Sequence, residues 1–395
     1  MKKLLPTIAL AFIIQAHLFS QQNYLDTIWS GGMMRTFRVY IPAIYNNQSP
    51  TPLVFNFHGL GGNADNFENS TKFRSVADTA NFILVTPNGT VNPEFNPNYG
   101  QSWSNFDCCP TTDDALFVSN LIDTLVQAFN VDTARIYSAG YSNGGFMGYD
   151  LACKLSNRIA AIASVCGSIE VSRLPSCNPT RSVPVLQIHG TNDPIIPFEG
   201  GSFIGVTFHA VDTVLKYWVG YDQCSTMPDF SALPNTNTTD GSTVERYVYS
   251  SCTDGASVEL LKVLNGGHTW PGTAGANTNQ DIVAENEIWR FFLKHRLNVV
   301  SSTSEKPSTI QVAISPNPAS NSLNLTFSSN QNLPSSGSLM IADLFGRMML
   351  ERALDVNDFE HPISIDLTSI PVGAYFLVLE TTGGGRVFRR FVVVK

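Results

Sequence analysis

Gly140-Tyr141-Ser142-Asn143-Gly144 spells G-x-S-x-G. A serine in that frame sits on a sharp turn from strand to helix, and the flanking glycines let backbone pass close by without a Cβ clash. Its surroundings agree. Ala134 to Ala139 reads as a short strand and Gly145 to Leu155 as a helix. That helix would aim its N-terminal amides and the positive end of its dipole at the serine, where negative charge is favoured. The chemistry on offer is nucleophilic attack on an acyl group. A serine hydroxyl is a poor nucleophile until a base removes its proton. The base in turn needs a third group to fix its tautomer and stabilise its charged form.

The base expected is His268, in Gly266-Gly267-His268-Thr269-Trp270-Pro271, just beyond a strand that ends at Val263. The acid expected is Asp193, in His189-Gly190-Thr191-Asn192-Asp193-Pro194, just beyond a strand that ends at Ile188. Asp212 and Asp222 are weaker rivals. The other histidines suit other tasks. His17 falls in the N-terminal leader, His361 in the C-terminal region, and His209 and His295 on helices. His189 closes a buried strand and would buttress the turn after it. Acyl transfer also needs donors for the oxyanion. One expected donor is the backbone N–H of Asn143. The other is that of Leu60, in the glycine-rich His58-Gly59-Leu60-Gly61-Gly62. No metal or cofactor is expected, because the cysteines fit no zinc-binding spacing.

These residues need a scaffold that brings loops together. Pro52 to Phe57, Phe82 to Thr86, Ala161 to Cys166, Pro184 to Ile188 and Val258 to Val263 read as short buried strands. Asp113 to Phe129, Phe208 to Trp218 and Ile282 to Lys294 read as amphipathic helices. Arg35 to Ile41 alternates as an antiparallel edge strand would. Strands alternating with helices predict an α/β fold with a mostly parallel sheet covered on both faces. Active residues then sit on loops at the C-terminal strand ends. Asn92 to Thr112 is a long aromatic-rich loop, of the length usually tied to function.

Past His295 the texture changes. Residues 299–312 are Ser/Thr-rich and read as a linker. From Ala313 to Lys395 only short alternating runs remain, predicting a small all-β sandwich without cysteine. At the other end, Lys2 and Lys3 precede an apolar run from Leu4 to Ile14, the pattern of a signal peptide over residues 1–20. Residues 21–298 are then the catalytic domain. Only 14% of the chain is charged and the net charge is -8, so no basic surface exists to neutralise nucleic acid phosphates. Seven cysteines in an exported chain favour disulfides. Cys224 with Cys252 and Cys109 with Cys153 are the expected pairs, and Cys166, in an apolar strand, is expected to be a free thiol.

Taken together, the His58–Gly62, Gly140–Gly145, His189–Asp193 and Gly267–Gly272 motifs resemble the secreted polyhydroxybutyrate depolymerase and feruloyl esterase family over about residues 30–297. Ala77-Asp78, Pro87-Asn88-Gly89 and Asp113-Asp114 fit the same pattern. The resemblance implies an α/β-hydrolase fold and a serine carboxylesterase, with Ser142 as nucleophile, Asp193 as acid and His268 as base. It also implies that Trp103 and Trp270 face the substrate. One departure is Asp114-Ala115-Leu116-Phe117, where the family more often has Asp-Val-Gly-Phe. Ser315-Pro316-Asn317-Pro318, Asp343-Leu344-Phe345-Gly346-Arg347, Gly373-Ala374-Tyr375 and Val392-Val393-Val394-Lys395 are similar to the C-terminal sorting domain of the type IX secretion system of Bacteroidetes. That implies type IX machinery as a partner and a released or surface-attached enzyme.

The function expected is hydrolysis of feruloyl or acetyl esters of plant polysaccharide, or of polyhydroxyalkanoate, through an acyl-enzyme. Two other readings share parts of the pattern. A prolyl-oligopeptidase-like peptidase shares the fold and triad but calls for a propeller-sized segment before the hydrolase. A binding module on an inactive scaffold would lack a triad member. For the C-terminal region the rival is a carbohydrate-binding sandwich, which the absence of tryptophan there disfavours.

Overall fold

Every position of Thr51–Phe57 and of Ala161–Val165 is buried, so neither strand has a face to offer to water. Such strands need cover on both sides, and the computed structural model supplies it. It describes residues 21–91, 100–104, 112–297, 310–329, 333–343, 348–382 and 386–394. The expected leader, most of the expected linker, Cys108, Cys109 and residues 344–347 of one tail motif lie outside the described residues.

The strands of the large sheet are, in chain order, β1 (Gln22–Ser30), β2 (Met33–Ile41), β3 (Thr51–Phe57), β4 (Ile83–Pro87), β5 (Val131–Tyr141), β6 (Ala161–Val165), β7 (Val185–Gly190), β8 (Asp229–Ala232), β9 (Thr243–Tyr249) and β10 (Val258–Leu264). Their spatial order is β1-β2-β4-β3-β5-β6-β7-β10-β9-β8. The centre, from β4 to β10, is parallel; both margins are antiparallel. This is the α/β-hydrolase architecture that the sequence led us to expect. Successive residues of one strand enter different cores. Leu53, Phe55 and Phe57 pack with helices α3 (Asp114–Ala128), α4 (Asn143–Lys154) and α5 (Val211–Tyr221). Val54 packs with α1 (Ala64–Ser70), α2 (Phe73–Ala80) and α6 (Ala284–Phe292).

Three expectations change. Arg35 to Ile41 is not at the edge: β1 pairs along the whole of β2 and takes the outer place. Its mostly exposed side chains hide it from a search for apolar runs. The fifth helix starts at Val211, not Phe208, because Val206–Phe208 pairs with Gly201–Phe203 as a hairpin. Cys153 bonds to Cys177, not to Cys109, since the turn at Leu174–Ser176 brings Cys177 against the end of α4. Cys224 and Cys252 are bonded to each other, and Cys166 is a buried free thiol.

The C-terminal strands form two antiparallel sheets. One joins Ile310–Ser315, Ser322–Ser329 and Ile363–Asp366; the other joins Met348–Asp355, Ser336–Asp343, Gly373–Thr381 and Arg386–Val393. Val312 and Leu325 of the first share a core with Leu339, Leu377 and Phe391 of the second, which makes a sandwich. Its first strand begins at Ile310, inside the stretch expected as linker, because Ile310 and Val312 are core residues.

Candidate active site

Strand β5 ends at Tyr141 and helix α4 begins at Asn143, so the turn between them is Ser142 alone. Ser142 has φ 53° and ψ −120°, a conformation that costs a non-glycine residue about 1–3 kcal/mol. The surroundings hold it there. Its N–H donates to the Val165 carbonyl at 2.8 Å. The glycines around it are required by contact: a Cβ at Gly140 would lie 2.1 Å from the Gly144 carbonyl oxygen, and one at Gly144 would lie 2.1 Å from that of Phe57. This packing presses the elbow onto the end of β3.

From the end of β3 the chain continues into the His58–Gly62 loop. A Cβ at Gly59 would stand 3.4 Å from the Ser142 Cβ, so the loop lies directly against the serine. His58 organises it. Its Nδ1–H donates to the Gly59 carbonyl (2.7 Å), and its Nε2 accepts from the Gly89 N–H (3.0 Å). Burial pushes the His58 imidazole down to about 4, so it is a neutral scaffold at pH 7. The Gly61 and Gly62 amides donate to Gln101 and Gly59 carbonyls. The Leu60 amide makes no hydrogen bond among the described residues. Asn143 opens α4, so its amide lies at the N-terminal end of that helix, next to Ser142.

Trp103, expected to face the substrate, is fully buried. Its backbone N–H donates to Asn143 Oδ1 and its indole N–H to the His58 carbonyl, both at 2.8 Å. It therefore ties the glycine-rich loop to the start of α4. Asp114 anchors this segment, accepting from the Ser104 N–H at 2.7 Å while paired with buried Arg35 at 2.7 Å. Trp270, expected in the same role, is buried as well. Its indole is buried edge-on against Phe67, Phe73 and Tyr141.

Asp193 and His268 come from loops after neighbouring parallel strands, β7 and β10. A Cβ at Gly190 would lie 2.2 Å from the Gly266 carbonyl oxygen, so the two loops touch backbone to backbone. Thr191 N–H donates to the Val263 carbonyl and Asn192 N–H to that of Gly266. The result is a 2.7 Å hydrogen bond between His268 Nδ1 and Asp193 Oδ2. The imidazole lies against the ring of Tyr141, the residue before Ser142, with centroids 5.1 Å apart and planes tilted by 40°, and the Tyr141 hydroxyl donates to the His268 carbonyl at 2.7 Å. Asp193 Oδ1 accepts from the Ile195 and Ile196 amides, each at 2.8 Å. Burial alone would raise the Asp193 carboxyl. Hydrogen bonds from His189 and His268 outweigh it and hold the group far below the usual carboxylate range.

Two neighbours were not assigned to this site from the sequence. His189 Nε2 lies 3.3 Å from Asp193 Oδ2. Its place four residues before Asp193 was visible, but its direction was not. Cys166 Sγ lies within 4.8 Å of the ligand atoms of Asp193 and His268, and its thiol donates to the Thr269 carbonyl at 3.4 Å. Burial and the Asp193 charge push that thiol well up, so it stays protonated.

Residues 41–211 match a phospholipase/carboxylesterase family model, and residues 313–394 match a secretion system C-terminal sorting domain. Among curated proteins, the chain is 29% identical to feruloyl esterase B of Piromyces equi over 58% of its own length and 42% of that protein's. It is 27% identical to a bifunctional acetylxylan esterase/xylanase of Neocallimastix patriciarum, over 64% of its length and 34% of that protein's. The chain thus spans less than half the length of these two relatives. Similar solved structures include an acetyl xylan esterase from Aspergillus awamori (13% identity, TM-score 0.45, covering 69% of this chain and 99% of that one).

Proposed function

We propose that the protein is a secreted serine carboxylic-ester hydrolase acting through Ser142, His268 and Asp193. The observation that carries this reading is the 2.7 Å His268–Asp193 hydrogen bond, formed beside a serine held at positive φ on a strand–helix elbow. His268 Nε2 takes the proton of Ser142 Oγ as that oxygen bonds to the ester carbonyl carbon. The oxyanion that develops is received by the amides of Leu60 and Asn143. Collapse breaks the ester C–O bond, and the alcohol leaves with the proton from His268. Water then gives a proton to His268 as its oxygen attacks the acyl carbon; the acyl–Oγ bond breaks, Ser142 Oγ takes the proton back from His268 and the acid leaves. Asp193 stays ionised throughout, which keeps His268 in the Nδ1–H tautomer. No cofactor takes part in these steps.

The substrate class proposed is a feruloyl or acetyl ester of plant polysaccharide, or a polyhydroxyalkanoate, met as polymer. The feruloyl and acetylxylan esterase relatives support the first two. So does an apolar cluster in which Leu60 and Ile195, from the loops of the site, meet Phe146, Phe203 and Phe208. The match over residues 313–394 supports export by type IX machinery, with residues 21–298 as the catalytic domain.

The test is hydrolysis of a p-nitrophenyl acyl ester by wild type and Ser142→Ala, followed by assays on methyl ferulate, acetylated xylan and a polyhydroxybutyrate film. Retention of more than a few per cent of turnover by Ser142→Ala would overturn the assignment.

A further inference from the structure

The acid at 193 has a second imidazole on it. We propose that His189 is a positioning residue for ester hydrolysis, acting through Asp193. The proposal rests on the assignment of Ser142, His268 and Asp193 made above.

The hydrogen-bond partners settle the direction of each bond. The Gly167 carbonyl can only accept, so the Gln187 group 2.9 Å from it is the amide NH₂. That same nitrogen lies 2.8 Å from His189 Nδ1, so Nδ1 accepts. The Ile196 carbonyl, 2.8 Å from His189 Nε2, can also only accept, so Nε2 carries the hydrogen. Asp193 Oδ2 lies 3.3 Å from the same Nε2, so the imidazole edge that bonds the Ile196 carbonyl also faces the carboxylate. At the far end, the Tyr149 hydroxyl donates to Gln187 Oε1 at 2.6 Å. Donation runs from Tyr149 to Gln187 and from Gln187 to His189, whose Nε2–H side faces the accepting carboxylate of Asp193. All four residues are buried, so water competes for none of these bonds.

This relay has a particular path. Tyr149 lies on α4, the helix that Ser142 opens. Asp193 receives His268 on the same oxygen that faces His189. The helix behind the nucleophile is thereby connected to the acid through a route that does not pass through His268. Asp193 has its Oδ1 fixed by two amides and its Oδ2 bonded to His268 with the His189 imidazole 3.3 Å away, so its carboxylate cannot rotate away from His268 without breaking a buried bond. His189 touches neither substrate nor reacting atoms in this scheme. It sets where the acid points and keeps it charged.

The experiment compares His189→Leu, His189→Gln and Tyr149→Phe with wild type on a soluble ester. Melting temperature is followed, and Ser142 is labelled in each protein with a fluorophosphonate. A hydrogen bond to a charged group is worth enough to expect about a 10- to 100-fold fall in kcat for His189→Leu, with KM unchanged. The pH profile of its kcat/KM should change shape as well, because the carboxylate that orients His268 is no longer held. His189→Gln, whose amide can still donate to Asp193, should recover most of the loss. Tyr149→Phe should give a smaller fall of the same kind. A folded His189→Leu protein with wild-type kcat and pH profile overturns the proposal. So does a loss that merely follows the folded fraction. If His189→Leu does not fold, an unchanged Tyr149→Phe enzyme overturns it instead. Absence of labelling at Ser142 in wild type would sink the underlying assignment, whatever the His189 variants do.

Discussion

Gly144 and the Phe57 carbonyl are packed so closely that a Cβ at position 144 would lie 2.1 Å from that oxygen. Through this contact the elbow helix is seated on the end of β3, and the glycine-rich loop that follows β3 is brought against Ser142. The second glycine of G-x-S-x-G is thus a contact requirement between the elbow helix and a neighbouring strand of the sheet.

Gly144→Ala should therefore cost about 1–3 kcal/mol or more, since the obstruction is backbone and cannot swing aside. It should also lower turnover by displacing Ser142 from the loop. Gly148, on the same helix, is the control. Its added Cβ would meet only Ser138 Oγ at 3.5 Å and Ile162 Cβ at 4.0 Å. Gly148→Ala should stabilise by about 0.5–1 kcal/mol through helix propensity. Urea unfolding midpoints and p-nitrophenyl ester turnover decide both; equal midpoints for the two variants would contradict the contact argument.

Ser142→Ala and His268→Ala are each expected to abolish turnover without unfolding the protein, while Asp193→Asn should lower kcat by up to about 10⁴-fold through a misplaced tautomer. Ser142→Gly adds a stability readout. Because Ser142 sits at φ 53°, glycine there should raise stability by about 1 kcal/mol. A melting temperature unchanged or lowered in Ser142→Gly would argue against strain at this turn.

Two buried carboxylates give opposite pH dependences. Asp193 is held low, so its contribution to stability is present above the unfolded value near 3.9 and is lost as pH falls below it. Burial pushes Asp222 the other way, up to about 7, against the Val183 N–H at 3.1 Å and the Arg181 charge. Between about pH 4 and pH 7 the folded state keeps a proton there that the unfolded state has lost, so stability falls as pH rises. Asp222→Asn should therefore be more stable than wild type at pH 8 and close to it at pH 4. Equal differences at both pH values would refute the shift.

The Cys153–Cys177 bridge joins residues 24 apart in sequence, from the end of α4 to the turn after β6. Cys153→Ser should destabilise by about 2–4 kcal/mol in chemical denaturation. Cys166→Ser should leave reduction-sensitivity unchanged, because that thiol makes no bridge. A wild-type melting temperature that survives complete reduction of accessible disulfides would count against a stabilising role.

Residues 21–298 expressed alone should keep wild-type turnover on a soluble ester, since the sandwich has its own core and contributes nothing to the proposed triad. In the producing cell the same truncation should stop delivery to the outside. Loss of soluble turnover on truncation would make the sandwich part of the working enzyme. Loss of polymer turnover alone, with export intact, would make it a binding module.

The sequence by itself determined the central strands, because each is a short buried run bounded by turn residues. It also determined the loops that carry Ser142, Asp193 and His268, because each follows directly from such a strand. Local spacing is enough for this: a residue one to five positions past a parallel strand must emerge at the same edge of the sheet. What depended on distant contacts was decided by tertiary structure. Trp103 and Trp270 are expected from the family resemblance to face the substrate, and only the tertiary structure shows both packed inside, against the glycine-rich loop and against Phe67 and Phe73. Cys153 had several possible partners in sequence, and only the approach of Leu174–Ser176 to α4 selects Cys177. β1 carries too few buried residues to announce itself, and its place is settled by pairing with β2. The direction of His189 toward Asp193 follows from Gln187 and Tyr149, residues of another strand position and another helix. Periodicity records which residues are buried, whereas partners across the fold are chosen by three-dimensional packing and by which buried donors still need acceptors.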